Sequence, residues 1–123
     1  MENSYQKLIT WQRSIELAIE IYKLTESYPK TEIYGLTSQT RRSAISIPAN
    51  IAEGWSRRYT TEYIQFLYVA RGSATELETH LIIAGRLNFL AAKDFQKVQD
   101  EITDILRMLS STITSLKSKH TKV

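Results

Sequence analysis

The chain contains no cysteine, two prolines and four glycines in 123 residues. Without thiols it has neither a disulfide framework nor a thiolate metal site, which fits a cytoplasmic protein. The few glycines and prolines fall where helices should end, and no strand pattern or internal repeat competes with a helical reading. No apolar run approaches the roughly 20 residues of a membrane span. The N-terminal stretch MENSYQKLITWQ lacks the basic-then-apolar order of a signal peptide. Also missing are a phosphate-binding glycine loop, a nucleophile elbow and a paired-histidine motif, so the expectation is a protein without catalysis, cofactor or metal.

What is present is ordinary in amount: 42% hydrophobic and 24% charged residues, enough for one domain and one core. The formal net charge is +3, and its placement says more than its size. Arg41, Arg42, Arg57 and Arg58 sit in one segment, and Lys117, Lys119 and Lys122 close the chain without an acid. Such clustering fits an anionic partner or an unevenly charged soluble surface.

The segment bracketed by the two arginine pairs organises the rest. Thr40, Ala44, Ile47 and Ile51 form an apolar seam at helical spacing. Beside it Gln39, Ser43, Ser46, Asn50, Glu53 and Arg57 form a polar line. Serine and asparagine are mediocre helix formers, so their repetition points to small size or hydrogen bonding rather than to solvent.

Four helices are predicted, over residues 8–27, 37–54, 61–87 and 93–116. In the first, Trp11, Ile15, Ala18, Tyr22 and Thr25 make one line and Leu17, Ile21 and Leu24 another, which suggests two neighbours. Thr37 or Ser38 is the expected N-cap of the second and Thr60 or Thr61 of the third. Pro48 should bend the second helix without breaking it, and Gly54 should begin its end. In the third, Ile64, Leu67, Ala74, Leu77, Leu81 and Ala84 form the seam, and Phe66, Ala70 and Ser73 a second face. Gly72 in mid-helix suggests a close backbone approach. The fourth keeps heptad-like spacing from Phe95 through Leu116, with a frayed basic tail beyond. Short connectors between such helices predict an all-α, antiparallel up-down four-helix bundle over residues 1–123.

Folding the second and third helices into a hairpin brings Arg42 opposite Glu76 and Glu78, where a bidentate pair would fix register. Ser43, Ser46, Gly72 and Ser73 would let the two helices close. Arg41, Arg57 and Arg58 read either as a solvated surface or, with the tail lysines Lys117 and Lys119, as a phosphate-binding patch. Trp55, Tyr59 and Tyr63 read either as packing or as platforms for unpaired bases. Glu76 and His80, one turn apart, have half the ligands of a bundle metal site, and a hydrogen-bonded or solvated pair explains them more simply.

Three blocks carry a family resemblance: Trp11, Gln12 and Leu17; the long run from Tyr34 to Gly54; and Phe66, Leu67, Ala70, Gly72, Ser73, Glu76 to Thr79 and Leu81. They resemble the four-helix-bundle proteins encoded in intervening sequences of bacterial large-subunit ribosomal RNA genes, over about the first ninety residues. The fourth helix matches only in apolar spacing. The resemblance implies a closed ring of bundles, typically a homopentamer. It also implies a kinship with accessory proteins of diversity-generating retroelements, in which a basic ring surface engages nucleic acid and a reverse transcriptase. Arg41, Arg42, Asn50, Glu53, Gly54, Arg57, Gly72, Ser73, Glu76 and Glu78 are the motif positions carried over, with Ser46 and Pro48 inside the central run. The expectation is a cytoplasmic, non-enzymatic homo-oligomer that binds RNA or DNA through arginine-rich faces. The competing expectation is an assembly scaffold without a nucleic-acid ligand.

Overall fold

The computed structural model describes residues 4–121, with side chains through Lys119. Four helices, α1 (Ile9–Thr25), α2 (Leu36–Trp55), α3 (Thr60–Arg86) and α4 (Ala92–Thr121), follow single 3-10 turns at Tyr5–Lys7 and Lys30–Glu32. The described residues contain no strand. Each helix packs on its neighbours around a square, α1 on α2 and α4, α3 on α2 and α4. Contacts run antiparallel: Ser43 meets His80 and Ser46 meets Ser73 across α2–α3, while Arg71 meets Ser110 and Tyr68 meets Lys117 across α3–α4. The result is the expected antiparallel up-down bundle.

The core comes from the predicted lines. Ala44, Ile47 and Ile51 of α2, the Ile64 to Ala84 seam of α3 and the Val98 to Ile113 line of α4 are all buried. On α1 only the line through Ser14, Leu17, Ile21 and Thr25 is fully inside. Trp11, Ile15 and Ala18 are half-buried, and Tyr22 is exposed. Of the second face of α3, Ala70 and Ser73 are buried within the chain and Phe66 is half-buried.

Helix ends depart from expectation in instructive ways. The N-cap position of α2 is Gly35, not Thr37 or Ser38, and the Glu32 carboxylate accepts the Leu36 amide at 3.1 Å from the preceding turn. A carboxylate satisfies an orphan amide and complements the helix dipole, so Thr37 is left to be buried in the first turn. α3 begins at Thr60 with Tyr59 as its N-cap, and no side chain caps it. Its other end closes on Asn88, in the left-handed region at φ 64°. The Phe89 amide returns to the Ala84 carbonyl and the Asn88 amide to Gly85, the paired bonds of a Schellman stop. α2 continues through the buried Pro48 without a break. The tail expected to fray beyond Leu116 instead continues α4 through Thr121.

Gly72 is not the site of close approach: it is exposed, and a Cβ there would meet nothing within 4 Å. That role belongs to Gly54, where a Cβ would stand 2.6 Å from the Phe66 Cβ and 3.0 Å from the Tyr63 Cδ1. The α2–α3 corner is therefore tight because α2 ends without a side chain against the start of α3.

Candidate nucleic-acid interface

The polar line of α2 turns inward at its centre. Ser43 is buried, its hydroxyl 3.0 Å from the Thr40 carbonyl and 3.3 Å from His80 Nδ1. A hydroxyl has one proton; with that proton given to Thr40, His80 donates from Nδ1 to Ser43. About one turn on, Ser46 and Ser73 share a 2.8 Å hydrogen bond, and the Asn50 amide donates to both the carbonyl and hydroxyl of Ser46. Across the two helices the Ser43–His80 and Ser46–Ser73 bonds set register, and Asn50 braces Ser46 from within α2.

Arg42 does not set that register. It is exposed, and no ion pair joins it to Glu76 or Glu78 among the described residues. Glu78 is turned toward α4 and accepts from Gln99, while Glu76 faces outward. His80 bonds Ser43 through Nδ1, and no group of three or more ligating side chains occurs around it or elsewhere among the described residues. The His120 side chain and Lys122 lie outside the described residues.

The basic residues divide between two regions. Arg41 donates from Nε to the Thr25 hydroxyl at 2.8 Å and from Nη2 to the Tyr22 carbonyl, with its guanidinium 4.6 Å from the Tyr22 ring centroid. It thus holds the last turn of α1 and lies sixteen residues up α2 from Arg57, about 24 Å away along the axis.

Arg57 and Arg58 lie at the opposite end, in the α2–α3 corner, and Lys117 reaches α3 from α4 at Tyr68, about two turns beyond the start of α3. The corner between α2 and α3 is only residues 56–59 long. Ser56 turns it by donating to the Glu53 carbonyl, and the Arg57 amide bonds Gly54. Arg57 pairs with Glu53 at 3.0 Å and lies 4.8 Å over Phe66. Arg58 lies 5.6 Å over Tyr59. From the other side Lys117 donates to the Tyr68 hydroxyl at 3.1 Å and sits over the same ring as Arg71. Lys119 follows one half-turn later and is exposed. Tyr63, half-buried and edge-on to Trp55 at 5.8 Å, is a packing residue, and burial raises its phenol above the usual range. Tyr59 and Trp55 remain exposed, at 59% and 36%.

Of a second kind of surface the sequence singled out only Tyr22, on the outer line of α1. Ile19, Tyr22, Ile33 and Ile45 are exposed around two shallow grooves of about 520 and 480 Å³ that share Tyr22 and Arg41. On α3, Val69 and Ile83 are exposed seven residues either side of Glu76. Their heptad phase, outside the core seam, was the signal available.

Comparison with known proteins agrees with this architecture. No curated protein matches the chain. A crystal structure of a protein of unknown function from the S23 ribosomal protein family of Bacteroides thetaiotaomicron VPI-5482 superposes with a TM-score of 0.77 at 26% identity. The match covers 85% of this chain and 98% of that one. The profile of the 23S rRNA-intervening sequence protein family matches residues 6–111. That span takes in three helices and most of the fourth, and the chain belongs to the 23S rRNA-intervening sequence protein family.

Proposed function

We propose that this chain is a non-enzymatic, cytoplasmic, homo-oligomeric bundle protein that binds nucleic acid through the end of the bundle formed by the α2–α3 corner and the last turns of α4. The observation that carries the reading is that Arg57 and Arg58 of the α2–α3 corner lie over Phe66 and Tyr59 while Lys117 of α4 meets Tyr68, so that cations from two segments reach the N-terminal half of α3. Cations collected from separate segments onto one end make a polyanion contact that does not depend on base sequence. A retroelement relative would present the same end to a reverse transcriptase and its template.

Fluorescence anisotropy with labelled ribosomal RNA fragments over a salt series tests this. Binding at low salt should weaken steeply as salt rises, with a log–log slope near −3 for about four phosphate contacts per chain. The double variant Arg58→Glu, Lys119→Glu should weaken binding without lowering the melting temperature. Undetectable binding at low salt would remove the nucleic-acid reading.

Homo-oligomerisation rests on the two apolar faces. One carries Ile19, Ile33 and Ile45 beside Arg41 and Arg42; the other carries Val69 and Ile83 around Glu76. Complementary charge and different composition suit a head-to-tail contact, which closes into a ring when its rotation allows, and a pentamer is the ring the resemblance implies. Light scattering should give an oligomer that Ile45→Glu or Val69→Glu dissociates. A strictly monomeric parent would instead favour a scaffold that covers these faces with another protein.

A further inference from the structure

We infer that the nucleic acid held at this end is single-stranded, with a base stacked on Tyr59. The inference rests on the nucleic-acid reading above and narrows it to a ligand class.

Tyr59 stands at the apex of the corner, in extended backbone immediately before α3, with most of its surface open. It makes no capping hydrogen bond, so helix geometry alone does not account for an aromatic side chain there. The Arg58 guanidinium lies over one face of the ring, 5.6 Å from its centroid, and the other face is the one a base would take. On the α2 flank Arg57 lies over Phe66, and on the α4 flank Lys117 lies over Tyr68.

The way these cations are held matters. Among the described residues Arg58 has no ion pair to a carboxylate, and the pair that Arg57 makes with Glu53 is half-exposed. A ring face positions a cation without cancelling its charge, at a modest gain when exposed. A phosphate can therefore approach the guanidinium edges of Arg58 without first breaking an ion pair. An exposed aromatic ring between cationic flanks matches a strand whose bases are turned out and whose phosphates run alongside. A duplex keeps its base faces stacked inside and offers Tyr59 nothing to stack on.

The test compares a fluorescein-labelled single-stranded oligoadenylate with the duplex it forms with oligouridylate, using the full chain at one low salt concentration. The single strand should bind at least about tenfold more tightly. Tyr59→Ala should reduce single-strand affinity by roughly fivefold to a hundredfold, the range expected for one stacked base, and leave the weaker duplex binding unchanged. Tyr59→Phe should restore it, since the ring face and not the hydroxyl makes the contact. Equal affinity for both ligands, with Tyr59→Ala without effect and Arg58→Glu weakening both, would overturn this inference while leaving phosphate binding intact. No binding to either ligand would overturn both.

Discussion

Along the α2–α3 seam the residues that α2 contributes are small: Ser43 meets His80, Ser46 meets Ser73, and Gly54 lies against Phe66. Along the α1–α4 seam they are long and charged: Arg13 reaches Asp104, which also takes Arg107, and Lys97 reaches Glu20. The Lys97 ammonium is raised by its hydrogen bond to Glu20 and by that charge, and Glu101 beside it is raised by burial and then by Glu20. Short hydroxyls draw two backbones together and hold one register, because a shift of one residue would leave buried donors and acceptors unmade. Surface ion pairs span a wider gap, exchange partners easily and contribute little each.

Breaking the tight seam should have the largest effect. Gly54→Ala forces a methyl group into Phe66 and Tyr63 and should destabilise the fold by about 1–3 kcal/mol in urea unfolding, despite the better helix propensity of alanine. Stability equal to the parent would mean that α2 and α3 are not this close. A smaller effect of opposite sign is expected at Tyr28, whose buried hydroxyl has no hydrogen-bond partner among the described residues. Tyr28→Phe should stabilise by about 1 kcal/mol, because it removes an unsatisfied group.

The same residue sets a pH signature. Burial pushes the Tyr28 phenol up to about 12. Its folded value lies above the unfolded value, so its contribution is complete below pH 10 and is lost as pH rises toward 12. Alkaline melts of the parent should fall more steeply over that window than those of Tyr28→Phe.

Gly72→Ala sharpens the comparison from the open side of α3, with an expected gain of up to about 1 kcal/mol. The α1–α4 seam should give the least: Arg13→Ala is expected to cost no more than about 1 kcal/mol, and high salt should shrink that further.

Much of this was readable before any coordinates. The apolar seams follow from periodicity, and the serine and asparagine line of α2 announced a packed face by being too poor a helix surface. Other features depend on rotational phase, which composition does not carry. Gly54 and Gly72 are both glycines in helices, and only the angle at which α2 meets α3 decides which one is crowded. Glu76 and Glu78 are both within reach of Arg42 by register, yet one faces solvent and the other turns to Gln99 on α4. The candidate site was legible in half. The arginine pair at the corner was visible, but the reach of Lys117 to Tyr68 on α3 requires α4 to return antiparallel and stay helical past Leu116. Arg41 looked equivalent to Arg57 in sequence and differs because the end of α1 reaches it first.

The most direct measurement is a backbone amide NMR titration of the protein with a short single-stranded oligonucleotide. Shifts confined to residues 55–60 and 115–119, with the amides around Arg41 and along the α1–α4 seam unmoved, are the predicted result. Perturbations centred on residues 33–45, with the α2–α3 corner silent, would contradict it.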